Sequence, residues 1–322
     1  MIHDIDYYRN LIEEAIRSYR LPDTPAGLYD PIRYAMDCGG KRIRPILCMA
    51  MCEALGGSAA DAVNQALAIE MFHNFTLLHD DVMDHADMRR GRPTVHVRWD
   101  ERTAILSGDA MLSIASEIVN DGVDATTATG CRRLLHRTAM EVYEGQQYDM
   151  DFEDRTDVTV DDYLDMIRLK TSVLLGCACR MGAIVAGADD ECQKYAYRFG
   201  ELLGLAFQLR DDYLDTYGDP IMFGKEIGGD IVNDKKTWLL ITALAEDTTG
   251  VVAQELAMPS EQYHKIERIK RVYDDLGLPE RCREVIERYI ADANRCIARL
   301  GLKPVDANFF TDLASKSSTR SN

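Results

Sequence analysis

The sequence has few of the features that mark nucleic-acid-binding, secreted or membrane-spanning proteins. Its 322 residues contain 37 Lys and Arg against 54 Asp and Glu, a formal net charge of −17 at pH 7. This charge disfavours nucleic acid and anionic membrane surfaces as partners. No apolar run approaches the roughly 18 residues that a transmembrane helix needs. The charged N-terminal segment MIHDIDYYRNLIEEAI lacks the apolar core of a signal peptide.

The nine cysteines form no CxxC pair, and their number is odd. Cys48 and Cys52 are four residues apart and can share a helix face, but no second pair of ligands lies nearby in the sequence. This spacing disfavours a zinc site, and free thiols in a reducing compartment are the simplest interpretation. We therefore expect a cytoplasmic protein that is not integral to a membrane.

Strand-like alternation of Val, Ile and Thr is scarce, whereas helical periodicity dominates the chain. Apolar residues at helical spacing predict helices over residues 5–19, 44–55, 61–81, 106–119, 127–150, 160–187 and 191–218. Gly and Pro fall between these segments, as helix-terminating residues should. Because no linker, low-complexity tract or repeat divides the chain, we expect one all-α domain over residues 1–322, with about ten or more helices.

Two acidic motifs of the form Asp-Asp-x-x-Asp stand out against this helical pattern. LLHDDVMD at residues 77–84 is echoed by QLRDDYLD at residues 208–215, and each closes a long apolar segment. Residues four apart share a helix face, and like charges near a helix C-terminus are unfavourable. Bound divalent cations remove that cost. Since Mg²⁺ prefers oxygen ligands and substrate phosphates, the motifs predict a site where facing helices hold Mg²⁺ around a diphosphate.

Basic residues accompany the acids in discrete groups. They occur in GGKRIRP at residues 39–45, directly after the first acidic motif, and in FGKEIGGDIVNDKKT at residues 223–237. In so acidic a protein, such groups are candidates for anion recognition. Lys170 in LKTS is a special case, because its apolar neighbours predict partial burial, which a lysine tolerates only with a partner.

Taken together, these motifs resemble those of the trans-prenyltransferases, or polyprenyl diphosphate synthases, of the all-α isoprenoid synthase fold. The resemblance rests on GGKRIRP, EMFHNFTLLHDDVMDHADMRRGRPTVH, LKTS, FQLRDDYLD and GKEIGGDIVNDKKT, which follow one another in the family's order. It implies a homodimer that elongates an allylic diphosphate of C5 to C15 with isopentenyl diphosphate. The reaction would proceed by ionisation assisted by two or three Mg²⁺ ions and would release diphosphate. Residues 106–119 are a candidate part of the dimer contact.

The resemblance also implies roles for individual side chains. The acids that would bind Mg²⁺ are Asp80, Asp84 and Asp211, supported by Asp81, Asp212 and Asp215. The allylic diphosphate would be held by Arg89, Lys170, Lys225 and Lys235. Isopentenyl diphosphate would be held by Lys41, Arg44, His73 and Arg90. The groups that match those facing the nascent cation are Thr171 and Gln208, beside Lys170. The departing diphosphate is the expected base, so His79 and His85 receive no catalytic role.

Product length is expected to depend on Phe75 and Thr76, which precede Asp80 by five and four residues. In the family, an aromatic residue at the fifth position closes the product pocket early, and a small residue at the fourth leaves it somewhat longer. The first motif also lacks a two-residue insertion that is common in bacterial farnesyl diphosphate synthases. The resemblance therefore implies a C20 product ahead of C15. The alternative is that Phe75 only packs in the core.

Three rival functions fit parts of the pattern. A class I terpene cyclase shares the fold and one acidic motif, but Ile241 stands where its second metal motif requires Glu. A non-catalytic partner subunit should have lost acidic or basic residues, and none of the main positions is lost. A helical bundle that only buffers divalent cations does not explain the basic groups. Lys316 and Arg320 in the C-terminal tail are left without a role.

Overall fold

The structure is a computed structural model that describes residues 1–219, 227–258 and 262–319. Across these residues the chain is helical almost throughout, and the only strands are a two-residue antiparallel pair, β1 (Met88–Arg89) and β2 (Arg92–Pro93). The predicted all-α class is confirmed. In the described part of the chain, no helix is both long enough and apolar enough to cross a membrane.

The chain divides into two compact units, which we describe separately. The first comprises residues 1–138 and 177–197, and the second comprises residues 139–176 and 198–322. The single domain over residues 1–322 stays a prediction.

The first unit is built around one long buried helix, α4. The complete helices of this unit are α1 (Ile5–Ser18), α2 (Ala26–Met36), α3 (Ile43–Ala54), α4 (Val63–Met83), α5 (Val95–Arg98) and α6 (Glu101–Ile118), with a 3₁₀ turn at Ala59–Ala62. Helix α4 packs against α1, α2, α3 and α6, and its residues from Gln65 to Phe72 are all buried. This packing fixes the position of the C-terminal end of α4, where the first acidic motif lies.

Two opposite charges neutralise each other inside this core. Arg42 is 3% exposed and Glu70 is 2% exposed, and Arg42 Nη1 lies 2.6 Å from Glu70 Oε1. Arg42 also donates to Glu13 Oε1 and to the carbonyl oxygen of Met36. Buried charges require such partners, so Arg42 joins the start of α3 to α4 and is not available to bind a substrate.

The second unit carries the other acidic motif. Three helices contribute residues to both units, namely α7 (Ala125–Asp154), α9 (Val173–Val185) and α10 (Asp190–Tyr217). The remaining helices are α8 (Val160–Ile167), α11 (Gly229–Val232), α12 (Trp238–Glu246), α13 (Val251–Ala257), α14 (Gln262–Asp275), α15 (Leu278–Arg299) and α16 (Pro304–Thr319). Helix α12 packs against α8, α13, α14 and α15, and α15 packs against α16.

The helix predicted over residues 160–187 is confirmed, since the chain is helical from Val160 to Val185, but a π-helical turn at Arg168–Ser172 lies between α8 and α9. Such turns insert one residue and are frequent at functional sites. The turn lies against Gly145 of α7, where a Cβ atom would be only 2.2 Å from the backbone nitrogen of Lys170. Glycine at position 145 thus permits the close approach that carries the LKTS segment.

Candidate active site

The first acidic motif lies at the C-terminal end of α4, as predicted. Asp80 is half-buried in the last turn, and Asp84 is exposed and caps the helix. Asp81 is buried and forms an ion pair with Arg89, whose Nη2 is 2.6 Å from Asp81 Oδ1. Burial raises the pKa of Asp81 and Arg89 opposes the shift. The middle acid is therefore held by protein, while Asp84 reaches solvent.

The residues expected to bind isopentenyl diphosphate form a cationic cluster in the same unit. Arg44 Nη1 lies 3.2 Å from His73 Nε2. A Cβ atom on Gly40 would lie 2.9 Å from Arg90 Nη1, and Arg90 donates to the carbonyl oxygen of Gly39. Both glycines adopt positive φ angles, 71° and 141°, which allows this contact. Lys41, which follows Gly40 in the sequence, is exposed.

This cluster is poorly neutralised by protein. Burial lowers the pKa of Arg44 to about 10, with Glu70 opposing and Arg90 adding to the shift. Burial and the nearby arginines hold the pKa of His73 well below its usual range, so its imidazole is neutral. Arg44 Nε is buried and has no hydrogen-bond partner among the described residues. Such a buried donor is costly unless an acceptor binds there, so an anion is the fitting ligand.

The second acidic motif lies near the end of α10 in the second unit. Asp211 is exposed, and Asp215 is half-buried and accepts a hydrogen bond from the backbone nitrogen of Asp230 at 2.9 Å. Asp212 is buried and accepts from the Tyr163 hydroxyl and from Gln208 Nε2. Burial raises its pKa, while Lys235 and these donors oppose the shift. The middle acid is again the one held by protein.

Lys170 has the partner that its burial required. Its Nζ lies 2.6 Å from Asp149 Oδ2, and the lysine side chain is 25% exposed, so the prediction of partial burial with a partner is confirmed. The next residue, Thr171, donates from Oγ1 to Gln208 Oε1 at 3.1 Å. The two groups expected to face the cation are therefore in direct contact.

Lys235 lies among carboxylates in the second unit. Its Nζ is 3.6 Å from Asp230 Oδ1. Burial alone would lower the pKa of Lys235, but Asp212 and Asp230 raise it above the usual value, so the ammonium stays charged. Burial raises the pKa of Asp230 to about 7 against the opposing charge of Lys235. Lys225, the other lysine expected here, lies outside the described residues.

The donor set fits Mg²⁺ that is bound mostly by water and phosphate. Over residues 1–219, 227–258 and 262–319, no group of three His, Cys, Asp or Glu side chains could hold a metal ion. A complete protein cage is not what Mg²⁺ requires, because it usually takes one or two carboxylates, water and substrate phosphates. The acids that reach solvent, Asp84 and Asp211, offer such oxygens.

Phe75, one of the two residues expected to set product length, is buried in the first unit. It is 5% exposed, and its ring centroid lies 5.5 Å from that of Phe72 and 4.8 Å from that of His79. Thr76 Oγ1 donates to the carbonyl oxygen of His73 at 2.9 Å. These contacts agree equally with core packing, so the role of Phe75 and Thr76 in product length remains a prediction.

Asp149, Tyr163 and Asp230 were not identified from the sequence. Each supports a residue that was: Asp149 pairs with Lys170, Tyr163 holds Asp212, and the Asp230 backbone holds Asp215. The partners are 15 to 49 residues apart along the chain. In the sequence, these three residues are polar positions near long apolar helices. Ordinary surface residues have the same pattern, so it does not single them out.

An all-α fold with two acidic helix ends and a cationic cluster defines a class of helical enzymes that act on diphosphates. The model of the polyprenyl synthetase family matches residues 25–276, so the chain belongs to the trans-polyprenyl diphosphate synthase family and is a prenyltransferase. A geranylgeranyl diphosphate synthase of Methanosarcina mazei is 40% identical over 76% of this chain and 75% of its own. A geranylfarnesyl diphosphate synthase of Natronomonas pharaonis is 36% identical over 86% and 85%.

Solved structures agree with this assignment. The crystal structure of a geranylgeranyl pyrophosphate synthase superposes with a TM-score of 0.95 at 44% identity and covers 100% of both chains. The geranylgeranyl pyrophosphate synthetase of Pyrococcus horikoshii gives a TM-score of 0.92 at 31% identity, covering 98% of this chain and 97% of its own. The predicted isoprenoid synthase fold is thus confirmed.

Proposed function

We propose that this enzyme condenses isopentenyl diphosphate with an allylic diphosphate, releases diphosphate, and makes geranylgeranyl diphosphate (C20), with farnesyl diphosphate (C15) as the second candidate product. The observation that carries the proposal is the cluster of Arg44, His73 and Arg90, with its unsatisfied buried donor. A cluster of positively charged side chains can hold a diphosphate without a metal ion. The acidic motifs, in contrast, suit a diphosphate that arrives with Mg²⁺.

Asp80, Asp84 and Asp211 would hold two or three Mg²⁺ ions, which would supply positive charge to the allylic diphosphate as its C–O bond breaks. Arg89 and Asp81 brace each other at the first motif. Lys170 and Lys235 add charge-assisted contacts to phosphate oxygens. Both acidic motifs act on the same diphosphate.

The cation that remains is then attacked by the double bond of isopentenyl diphosphate. Arg44, Arg90, Lys41 and the neutral His73 hold that substrate, and His73 can both donate and accept a hydrogen bond. Thr171 and Gln208 direct oxygen dipoles at the cation, and apolar walls keep water from capturing it. The departing diphosphate takes the proton lost in the final step.

The test of this proposal is an elongation assay. Purified protein is incubated with Mg²⁺, labelled isopentenyl diphosphate and a primer of C5, C10 or C15, and the products are sized after dephosphorylation. We expect all three primers to be extended and the C20 product to dominate. Failure to extend any primer would refute the proposal, and a cyclic hydrocarbon would identify a terpene cyclase instead.

Shortening Phe75 is expected to lengthen the product. Phe75→Ala removes the buried ring that we propose closes the product pocket, so chains beyond C20 should accumulate. The milder Phe75→Leu should give an intermediate distribution. Thin-layer chromatography of the dephosphorylated products checks both variants.

A matched control is Phe310→Ala, which removes a fully buried ring on α16 of the second unit. It should leave the product length unchanged. The pocket-closing role is excluded if Phe75→Ala is active and yields the same lengths as the unaltered enzyme.

We also propose that the enzyme is a homodimer. Ile105 and Leu106 on α6 are 46% and 60% exposed, and adjacent exposed apolar side chains suit a contact with a second copy. Light scattering should give twice the chain mass of 36.3 kDa, and Leu106→Asp should shift the mass to that of one chain. A single-chain mass for the unaltered protein at micromolar concentration is the contrary result.

A cytoplasmic location remains part of the proposal. All nine cysteines are free thiols, and seven of them are buried. Burial raises the pKa of Cys48 well above its usual value, so this thiol stays protonated and unreactive. Free thiols of this kind are usual in a reducing compartment.

A further inference from the structure

Four side chains in the second unit are joined in one hydrogen-bonded chain. Thr171 on the π-helical turn donates to Gln208 Oε1 at 3.1 Å. Gln208 on α10 donates from Nε2 to Asp212 Oδ1 at 2.9 Å. Tyr163 on α8 donates its hydroxyl hydrogen to Asp212 Oδ2. Each oxygen of Asp212 thus receives a hydrogen bond from protein.

The Asp212 carboxylate lies between Tyr163 and Gln208 and sets the direction of every bond in this chain. Both oxygens of Asp212 accept a hydrogen bond, one from the Tyr163 hydroxyl and one from Gln208, so the NH₂ group of Gln208 faces Asp212. The amide oxygen of Gln208 then faces Thr171, and the Thr171 hydroxyl donates its only hydrogen to that oxygen. The lone pairs of the Thr171 hydroxyl are left free to face something else.

We propose that Tyr163 and Asp212 are positioning residues that orient Thr171 and Gln208, so that oxygen lone pairs face the developing allylic cation. The inference rests on the proposed function and adds a role to it. Tyr163 is 1% exposed and Asp212 is 5% exposed, so neither is placed to touch solvent. In this role Asp212 orients other side chains, whereas the exposed Asp211 serves Mg²⁺.

The orientation matters because fixed dipoles aimed at developing charge lower the barrier. An oxygen lone pair stabilises a carbocation, whereas a hydroxyl hydrogen turned the same way destabilises it. If the direction of the chain is lost, ionisation slows and the cation is less well held for attack by the second substrate. More of it is then captured by water as the allylic alcohol.

Tyr163→Phe tests the inference with the smallest change. We expect kcat to fall about tenfold. A donor that acts directly on the charge is worth about 100- to 1,000-fold, whereas Tyr163 acts only through Asp212 and Gln208. KM values should stay within about twofold, and the share of allylic alcohol in the products should rise. Tyr8→Phe is the matched control, because Tyr8 is a buried tyrosine that donates to Glu53 in the first unit. Its kcat and alcohol share should equal those of the unaltered enzyme.

A charge swap separates orientation from packing. Asp212→Asn can donate as well as accept, so the direction of the chain is lost and kcat should fall about 100-fold. Adding Gln208→Glu restores a carboxylate that accepts from both Thr171 and Asn, while Tyr163 still donates to the Asn oxygen. The double variant should recover at least about tenfold of the loss. A double variant no faster than Asp212→Asn would overturn the inference.

Binding gives a readout that does not depend on turnover. Calorimetry with Mg²⁺ and an unreactive allylic thiodiphosphate should give the same affinity for Tyr163→Phe as for the unaltered enzyme. A large loss of affinity would place Tyr163 in diphosphate binding and overturn the positioning role, as would an unchanged kcat and alcohol share in Tyr163→Phe. If the unaltered enzyme extends no primer, it is the proposed function that fails.

Discussion

Asp80→Asn is expected to lower kcat by about 1,000-fold or more, which is the largest effect on activity that we anticipate. The change keeps the shape of the side chain and removes the charge that we propose binds Mg²⁺ at the end of α4. Without the ion, the leaving diphosphate loses electrostatic stabilisation in the transition state, where single contacts are worth about 100- to 1,000-fold. Asp211→Asn should behave in the same way.

Steady-state kinetics at rising Mg²⁺ concentration measure this effect. The Asn variants should need more Mg²⁺ and still not regain full activity. Asp23→Asn is the control, because Asp23 is fully exposed and lies apart from the motifs in the sequence. A loss of less than about tenfold for Asp80→Asn at saturating Mg²⁺ would show that Asp80 is not a ligand on which catalysis depends.

Arg42→Met is expected to destabilise the protein by about 3–5 kcal/mol, because it leaves the Glu70 carboxylate buried without its counter-charge. Arg42 Nη1 is 2.6 Å from Glu70 Oε1, with side chains 1% and 3% exposed, so water cannot replace the lost partner. Urea unfolding monitored by circular dichroism gives the free energy of unfolding.

Two further variants show how much of the change in the free energy of unfolding comes from the buried charge. Arg9→Met breaks an ion pair with Asp6 whose side chains are 39% and 74% exposed, so it should cost about 0–1 kcal/mol. Arg42→Met combined with Glu70→Leu removes both charges and should recover most of the stability. If Arg42→Met unfolds at the same urea concentration as the unaltered protein, the buried pair is not what secures the start of α3.

The helices were predictable because their apolar periodicity is local and long. The segments predicted at residues 5–19, 44–55 and 191–218 lie within one residue of Ile5–Ser18, Ile43–Ala54 and Asp190–Tyr217. The π-helical turn was not predictable, since apolar periodicity does not distinguish it from the α-helix on either side, and its contact with Gly145 joins distant residues. The two strands of the hairpin at residues 88–93 have two residues each and are likewise too short to show alternation.

The parts of the candidate site that could be predicted are those where charged residues cluster in the sequence. The two acidic motifs and the Gly-Gly-Lys-Arg segment are runs of charge at helix ends, which few structural roles require. Tyr163 sits instead in VDDYLDMI, which reads as an ordinary amphipathic helix. Its bond to Asp212 joins residues 49 apart, and only the folded chain shows it.

A double-variant cycle of binding affinities directly tests the proposal that both acidic motifs act on one diphosphate. Calorimetry gives the Mg²⁺-dependent affinity for the allylic thiodiphosphate in the unaltered enzyme, Asp80→Asn, Asp211→Asn and the double variant. Shared binding predicts that each single change removes most of the affinity and that the second adds little, so the two effects are strongly non-additive. Independent, additive losses, or unchanged affinity in either single variant, would contradict the account.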